Sequence, residues 1–228
     1  MSSSPTVVRR ITRPDPELVK TAAQYGVATL HEANRRRGLM LDIHPVVPGT
    51  RMCGPAVTSL NHAGDNLMLH AAVEVCEPGD VLVVATLSPS THGMFGELLA
   101  TQCRAQGIAG VVLDAGVRDK RDLQEMSFPV WSRAVSAAGT VKATPGWVNV
   151  PVVCGSATVQ PGDLVIADDD GAMVIPRSEV AAAVEAARLR EEREAANRAR
   201  LQAGELSLDV NNLRPLLERL GVTYTDGC

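Results

Sequence analysis

Between residues 65 and 134 the chain alternates apolar segments of helical period with short, continuous apolar runs, and this constrains the fold more than any other feature. Asp65 is placed to cap DNLMLHAAVEV, with Leu67, His70 and Ala71 on one face, and the apolar run at 81–86 follows. A helix near 96–106 then feeds a strand at 108–113, and a brief helix at 120–126 feeds a strand at 129–134. Apolar runs without polar alternation suit strands buried on both faces, so the pattern predicts an α/β sheet covered by helices.

The flanks read differently. Residues 1–14 read as a flexible arm. Asp15 caps a helix with Pro16 just inside it, running to about Tyr25 and stopped by Gly26; a second short helix at 27–37 ends at Gly38. The stretch HPVVPGTRMCGPAVTSL suggests strands around tight turns, and after residue 150 the pattern becomes strands only. Pro78-Gly79-Asp80 before one buried strand is echoed by Pro161-Gly162-Asp163 before another, which suggests a layered β/β/α core. Ser178 caps a long helix whose apolar positions, Val180 and Val184, fade after Leu189. Residues 190–200 contain no large apolar side chain, so that stretch is either solvated or lies across another subunit. The expected plan is an arm (1–14), a β/β/α catalytic core (15–177), and a helix and tail (178–228) packed on a neighbouring subunit.

Composition narrows the function. A net charge of −4 and an aromatic content of 3% argue against a nucleic-acid surface, which needs a basic patch and stacking rings. The longest apolar run, 81–87, is too short to span a membrane. The N-terminus lacks the apolar core of a secretory signal. The five cysteines (Cys53, Cys76, Cys103, Cys154, Cys228) are odd in number and never form CxxC. They read mostly as small buried side chains in a reducing, cytoplasmic setting.

Three segments could carry chemistry. Gly96-Glu97-Leu98-Leu99 opens a helix, where exposed N–H groups and the helix dipole favour a carboxylate or phosphate. It could equally be an ordinary helix start with Leu98 and Leu99 in the core. The run at 110–119 reads as a buried strand ending in a glycine-containing loop that presents Arg118 beside Asp119. Ligands gather at the carboxyl ends of such strands. Arginine grips a carboxylate or enolate, and aspartate can hold Mg²⁺ or Mn²⁺. The alternative is a surface loop with a local ion pair. Asp168-Asp169-Asp170-Gly171 looks like a metal cluster but lacks EF-hand spacing and reads as a hairpin turn. No paired-histidine metal spacing occurs; His31 precedes Glu32 on a short helix, where either could face a pocket. His44, His62, His70 and His92 read as surface or satisfied core residues. GxSxG, P-loop and GxGxxG motifs are absent, and no lysine stands in an obviously apolar setting.

The runs FGELLATQCRAQGIAGVVLDAGVRD and VNVPVVCGSATVQPGDLVIADDDGAMVIP resemble the 4-hydroxy-4-methyl-2-oxoglutarate / 4-carboxy-4-hydroxy-2-oxoadipate aldolase family, which shares its fold with the regulator of ribonuclease activity A. The resemblance covers about residues 20–225. It implies a swivelling β/β/α core in homotrimers or hexamers, with sites at subunit interfaces. It implies a class II pyruvate aldolase that needs Mg²⁺ or Mn²⁺ and takes a small 2-oxo acid, with no nucleic-acid or membrane partner. It puts pyruvate's carboxylate on the amides of Gly96, Glu97, Leu98 and Leu99, the keto or enolate oxygen on Arg118, and the metal on Asp119, partly through water. A glutamate from the neighbour's C-terminal helix completes the site: Glu194 fits best by spacing, with Glu191 and Glu192 nearby. Glu32 and the pair Asp65-Asn66 resemble positions near the pocket, and a water held by Glu194 or Glu32 is the implied base. Ala115-Gly116 departs from the glycine-first order expected after Asp114. Oxaloacetate decarboxylation passes through the same enolate and is the implied side activity. The competing reading is a non-catalytic regulator that binds a ribonuclease; such proteins are shorter. Relatives with this core have also been labelled methyltransferases, but the chain lacks the glycine-rich loop and acidic ribose partner of a Rossmann-type cofactor site.

Overall fold

In the computed structural model, which describes residues 4–227, the chain begins with β1 (Thr6–Val7) and α1 (Pro16–Ala22). Asp15 caps α1 by accepting from the Glu17 amide at 2.9 Å. The helix α2 (Val27–Ala33) starts at Gly26, which has no side chain to cap with; the Asp168 carboxylate accepts from the Val27 amide at 2.8 Å instead. It ends before the expected Gly38 because Arg35 and Arg36 both turn left-handed, at φ 58°. Beyond the three residues that lie outside the description, the expected flexible arm is tied to the core. Thr6–Val7 adds a parallel strand edge, and Arg13 reaches the buried Asp80 with two bonds of 2.9 and 2.7 Å.

The centre follows the expected alternation: β2 (His44–Pro45), β3 (Met52–Asn61), α3 (Leu67–Val75), β4 (Val81–Thr86), β5 (Gly93–Phe95), α4 (Glu97–Ala105), β6 (Gly110–Val117), α5 (Lys120–Glu125) and β7 (Val130–Val135). Strands β3, β4, β6 and β7 lie side by side in that order and in parallel. The side chains of β4 divide between the two faces. Leu82 and Val84 pack with Leu69, Ala100 and Leu123 of the helical layer. Val81, Val83 and Ala85 face a second core, closed by the strands that follow.

Those strands are β8 (Trp147–Val148), β9 (Val152–Cys154), β10 (Ala157–Val159), β11 (Leu164–Asp168) and β12 (Gly171–Ile175). In β11, Val165 and Ala167 join the second core, while Leu164 and Ile166 face a third with Leu30 of α2 and Val180 of α6 (Val180–Gln202). The layering is therefore helices, parallel sheet, β layer and outer helices. The two Pro-Gly-Asp segments are one device used twice. Gly79 and Gly162 sit at φ +91° and +86°, and Asp80 and Asp163 accept from the amides of Glu77 and Gln160 at 2.7 and 2.9 Å.

The run at 110–119 departs from expectation. β6 continues past Leu113 to Val117, with a register shift between Leu113 and Gly116, so Asp114-Ala115-Gly116 is strand and not loop. Gly116 is needed there: a Cβ would lie 2.2 Å from the Thr91 carbonyl. The triple aspartate is a turn, as expected: Asp168 pairs with Gly171 across it.

One compact unit extends through Ala187 and a second starts at Arg188. The first keeps the apolar start of α6 (Val180, Ala183, Val184 and Ala187) in its core. The second holds the polar remainder of α6, α7 (Ser207–Val210) and α8 (Arg214–Arg219), with Arg200 bonded to Glu205 at 2.6 Å. Among the described residues no helix is long and apolar enough to cross a membrane. The four described cysteines are free; burial pushes the thiols of Cys53 and Cys103 up to about 12 and raises those of Cys76 and Cys154 further. Cys228 lies outside the described residues.

Candidate active site

The site grows from the junction of β6 with α4. The Arg118 amide donates to the Phe95 carbonyl at 2.9 Å, which holds the end of β6 against the residue before Gly96. Gly96 is extended and needs no special backbone, yet it admits no side chain. A Cβ would lie 2.3 Å from Asp119 Oδ2 and 3.0 Å from Arg118 Cγ. Its bareness lets Asp119 accept from the Glu97 amide at 3.1 Å, in the manner of an N-cap supplied from the segment that follows β6. The next amides of the first turn, at Leu98 and Leu99, have no intrahelical acceptor by helix geometry. Asp119 itself is left-handed at φ 56°, a conformation aspartate tolerates better than most residues. Its Oδ2 lies 3.4 Å from Arg118 Nε.

Gly96, Leu98, Leu99 and Arg118 border a cavity of about 200 Å³. Asn66 and His70 of the α3 segment, β5, the start of α4, Arg118, and Thr140 and Lys142 of a loop line it. Asp65 fixes that loop. Its Oδ1 accepts from the Leu67 amide at 2.9 Å, and its Oδ2 accepts from the amides of Ala143 and Thr144 at 2.9 and 2.6 Å. Burial alone would raise the Asp65 pKa; the three backbone donors outweigh it and hold the carboxyl below its usual range. His70 is shifted down by burial and by the neighbouring Lys142 charge. The cavity thus presents two cations, a helix start and polar acceptors, a set suited to a small organic anion.

The family model described as RraA-like, Aldolase/RraA, matches residues 24–174. The chain belongs to this family. Among RraA-like relatives, the "Putative 4-hydroxy-4-methyl-2-oxoglutarate aldolase" of Halalkalibacterium halodurans is 33% identical over 178 residues, covering 78% of this chain and 82% of that protein. The solved structure of Streptomyces coelicolor RraAS2, described as an unusual member of the RNase ES inhibitor RraA family, superimposes with a TM-score of 0.73 at 33% identity. It covers 83% of this chain and 99% of that one. An uncharacterized protein from Pseudomonas syringae pv. tomato gives a TM-score of 0.76 at 25% identity, covering 88% of this chain and all of that one.

Within this RraA-like core Gly96, Leu98, Leu99 and Arg118 line one cavity, whereas Glu97 and Asp119 are not among its lining residues and are joined to each other by the bond from the Glu97 amide to Asp119 Oδ2. The structure does not bring Glu32 there. Glu32 lies on α2, beside the third core, and pairs with Arg36 at 3.0 Å. Glu194 belongs to the second unit, where it pairs with Arg190 at 2.8 Å. The expected Mg²⁺ or Mn²⁺ is a correction. Among the described residues no group of three or more histidine, cysteine, aspartate or glutamate side chains could hold a metal ion. The donor set around Asp119 does not fit one either, since its Oδ2 is already engaged by the Glu97 amide and faced by a guanidinium. Asp119 Oδ2 thus meets both the Glu97 amide at the start of α4 and the Arg118 guanidinium.

Sequence reasoning missed His70, Thr140 and Lys142. His70 was legible as one helical turn beyond Asn66. The loop at 140–144 carried no periodic signal; backbone bonds of Val141 with Gly64 and Asn66, and the bonds of the Ala143 and Thr144 amides to Asp65, place Lys142 at the cavity.

Proposed function

We propose that this chain is a carbon–carbon lyase that cleaves 4-hydroxy-2-oxo acids, such as 4-hydroxy-4-methyl-2-oxoglutarate or 4-carboxy-4-hydroxy-2-oxoadipate, to pyruvate and a second oxo acid. The observation that carries this reading is the placement of the start of α4 and Arg118 on one wall of one cavity. The amides at Leu98 and Leu99 receive the carboxylate next to the oxo group, with the helix dipole favouring its charge. Arg118 stands by the oxo oxygen. As the carbon–carbon bond breaks, negative charge gathers on that oxygen, and a guanidinium already in place stabilises it without reorganisation. Asp119 keeps Arg118 oriented. Lys142 supplies a second positive charge for the distal carboxylate. Glu32 and Glu194 enter this reading only from a neighbouring copy of the chain. Oxaloacetate decarboxylation forms the same enolate and is expected as a side activity.

The test is pyruvate release from the two hydroxy-oxo acids and from oxaloacetate, followed through lactate dehydrogenase. Turnover of at least one hydroxy-oxo acid is expected. Folded protein that turns over none of the three sinks the lyase reading. A second reading draws on the likeness to RraAS2: a non-catalytic protein that binds a ribonuclease. It predicts no pyruvate release and a lowered rate of RNA cleavage when the chain is mixed with RNase ES.

A further inference from the structure

The end of α2 borders two further cavities, which share no residue with the one at Arg118. One, of about 360 Å³, lies against Ala182, Ala183 and Ala186 of α6. The other, of about 300 Å³, is bordered by Leu39, Val174, Ser156 and Thr158. Asn34 and Arg37 line both, so the two adjoin. Each is as large as the smaller small-molecule pockets, which run from ~300 to ~1,000 Å³. Two side chains at the larger cavity have polar groups that the protein leaves unused. Asn34 is only 4% exposed; its Nδ2 donates to the Arg37 carbonyl at 3.2 Å, while its Oδ1 accepts no hydrogen bond among the described residues. Unlike Asn66 Oδ1, that oxygen is not sealed in, and Asn34 lines both cavities. Arg36 pairs with Glu32 at 3.0 Å, and Arg37 bonds Glu179, the one carboxylate on the lining. Between them and Asn34, the Arg35 guanidinium has neither an ion pair nor a hydrogen bond among the described residues. The Arg35 backbone is left-handed at φ 58°, a conformation that glycine adopts without steric cost. A glycine would end α2 equally well, so the fold does not call for an arginine side chain at this position.

We propose that the space between the end of α2 and α6 is a second ligand site, which takes a 2-hydroxy carboxylate with a short aliphatic body. Arg35 pairs with the carboxylate, whose two oxygens match the guanidinium fork. The 2-hydroxyl donates to Asn34 Oδ1, the buried acceptor that the protein leaves open. Asn34 and Arg35 are consecutive residues, so the groups they bind are neighbours in the ligand as well. The aliphatic body lies on Ala182, Ala183 and Ala186 and leaves water. Arg35, Arg37 and Glu179 are the charged residues of the lining, two cations and one anion, and their balance favours an anion. The site takes no part in the lyase reaction and does not rest on that reading.

The experiment is calorimetric titration of the full chain with 2-hydroxyhexanoate, hexanoate and hexanamide. The first is expected to bind, the second to bind several-fold more weakly for want of the hydroxyl, and the uncharged amide not to bind. Arg35→Gln and Arg35→Gly should each weaken binding of 2-hydroxyhexanoate at least about tenfold, the loss expected when a charge-assisted pair is removed. Arg35→Gly suits the left-handed backbone and is expected to melt no lower than the unsubstituted protein, so lost binding is not lost fold. Arg118→Ala should bind 2-hydroxyhexanoate as the unsubstituted protein does, which separates this site from the first cavity. Pyruvate release should be unchanged in both Arg35 variants. No binding of 2-hydroxyhexanoate, equal binding of hexanamide, or binding that survives both Arg35 substitutions overturns the assignment. Binding that is lost with Arg118 instead places the ligand in the first cavity and overturns it too. Equal affinity for hexanoate and 2-hydroxyhexanoate removes Asn34 from the site and overturns the hydroxyl's part in it.

Discussion

At the scale of single residues, the walls of the candidate site are shaped by side chains that bind neighbouring backbone. Gly96 contributes the space that Asp119 and Arg118 occupy, and Asp119 holds a left-handed backbone that places its carboxylate over the Glu97 amide. Asp65 does the same for the opposite wall, since three backbone amides converge on its carboxylate. A carboxylate accepting several backbone bonds is stabilised in its charged form, so its depressed pKa is a statement about stability. The contribution is fully present above the ordinary carboxylate pKa and is lost as pH falls through the lowered native value. Asp65→Asn should therefore cost about 2 kcal/mol at neutral pH, from the loss of charge-assisted bonds. For a chain of this size that is a fall in Tm of roughly 4–8 °C. The gap between variant and unsubstituted protein should narrow below about pH 4, where the carboxylate protonates in the unfolded chain while the native one is still charged. Thermal melts from pH 3 to 7 check this, and a gap that stays constant across the range rules it out.

At the scale of elements, the turn at Asp168-Asp169-Asp170-Gly171 shows how a short motif can be read correctly and still be understood only in part. The hairpin was legible because Asp-Gly between two apolar runs specifies a turn locally. The capping of α2 was not, because its acceptor lies 141 residues away on that turn: Asp168 Oδ2 receives the Val27 amide, and Asp169 Oδ1 receives the Gly49 amide. Removing a helix cap costs about 1 kcal/mol, so Asp168→Ala should lower Tm by roughly 2–4 °C. Its effect on pyruvate release should be small, since α2 lies beside the third core and away from the cavity. Retention of the full Tm would show that water replaces the cap. The same contrast runs through the rest of the chain. Val81–Thr86, α4 and the Pro-Gly-Asp turns were legible because period and turn chemistry are local. The extension of β6 was hidden because Ala115-Gly116 reads as a loop until Thr91 is seen packed against the missing Cβ. The cavity's Lys142 was hidden because a loop's position is set by what it bonds to, here Asp65.

At the scale of the whole molecule, the first unit leaves two large apolar side chains uncovered beside its cavity: Leu98 is 76% exposed, and Val141, next to Thr140 and Lys142, is 60% exposed. Exposed apolar groups beside a cavity suit a surface that a ligand or another chain would cover. In the second unit, the stretch from Arg190 to Arg200 is a charged helix that no core of its own supports. A closed ring of identical subunits would satisfy both, with each subunit giving one face and receiving the other. The lyase reading then expects Arg118 and Glu194 of a working site to come from different copies, which mixing can test. Arg118→Ala and Glu194→Ala homo-oligomers should each be impaired in pyruvate release. Dissociated, mixed in equal amounts and reassembled, they form some sites with Arg118 from one copy and Glu194 from the next. For random assembly in a ring, about a quarter of the sites are of that kind, so activity should return to about that fraction of the unsubstituted protein. Native mass spectrometry on the same mixture verifies that hybrids have formed and gives the number of subunits. Hybrids that form without regaining activity would mean that both residues serve a site within one copy, or that Glu194 has no part in it.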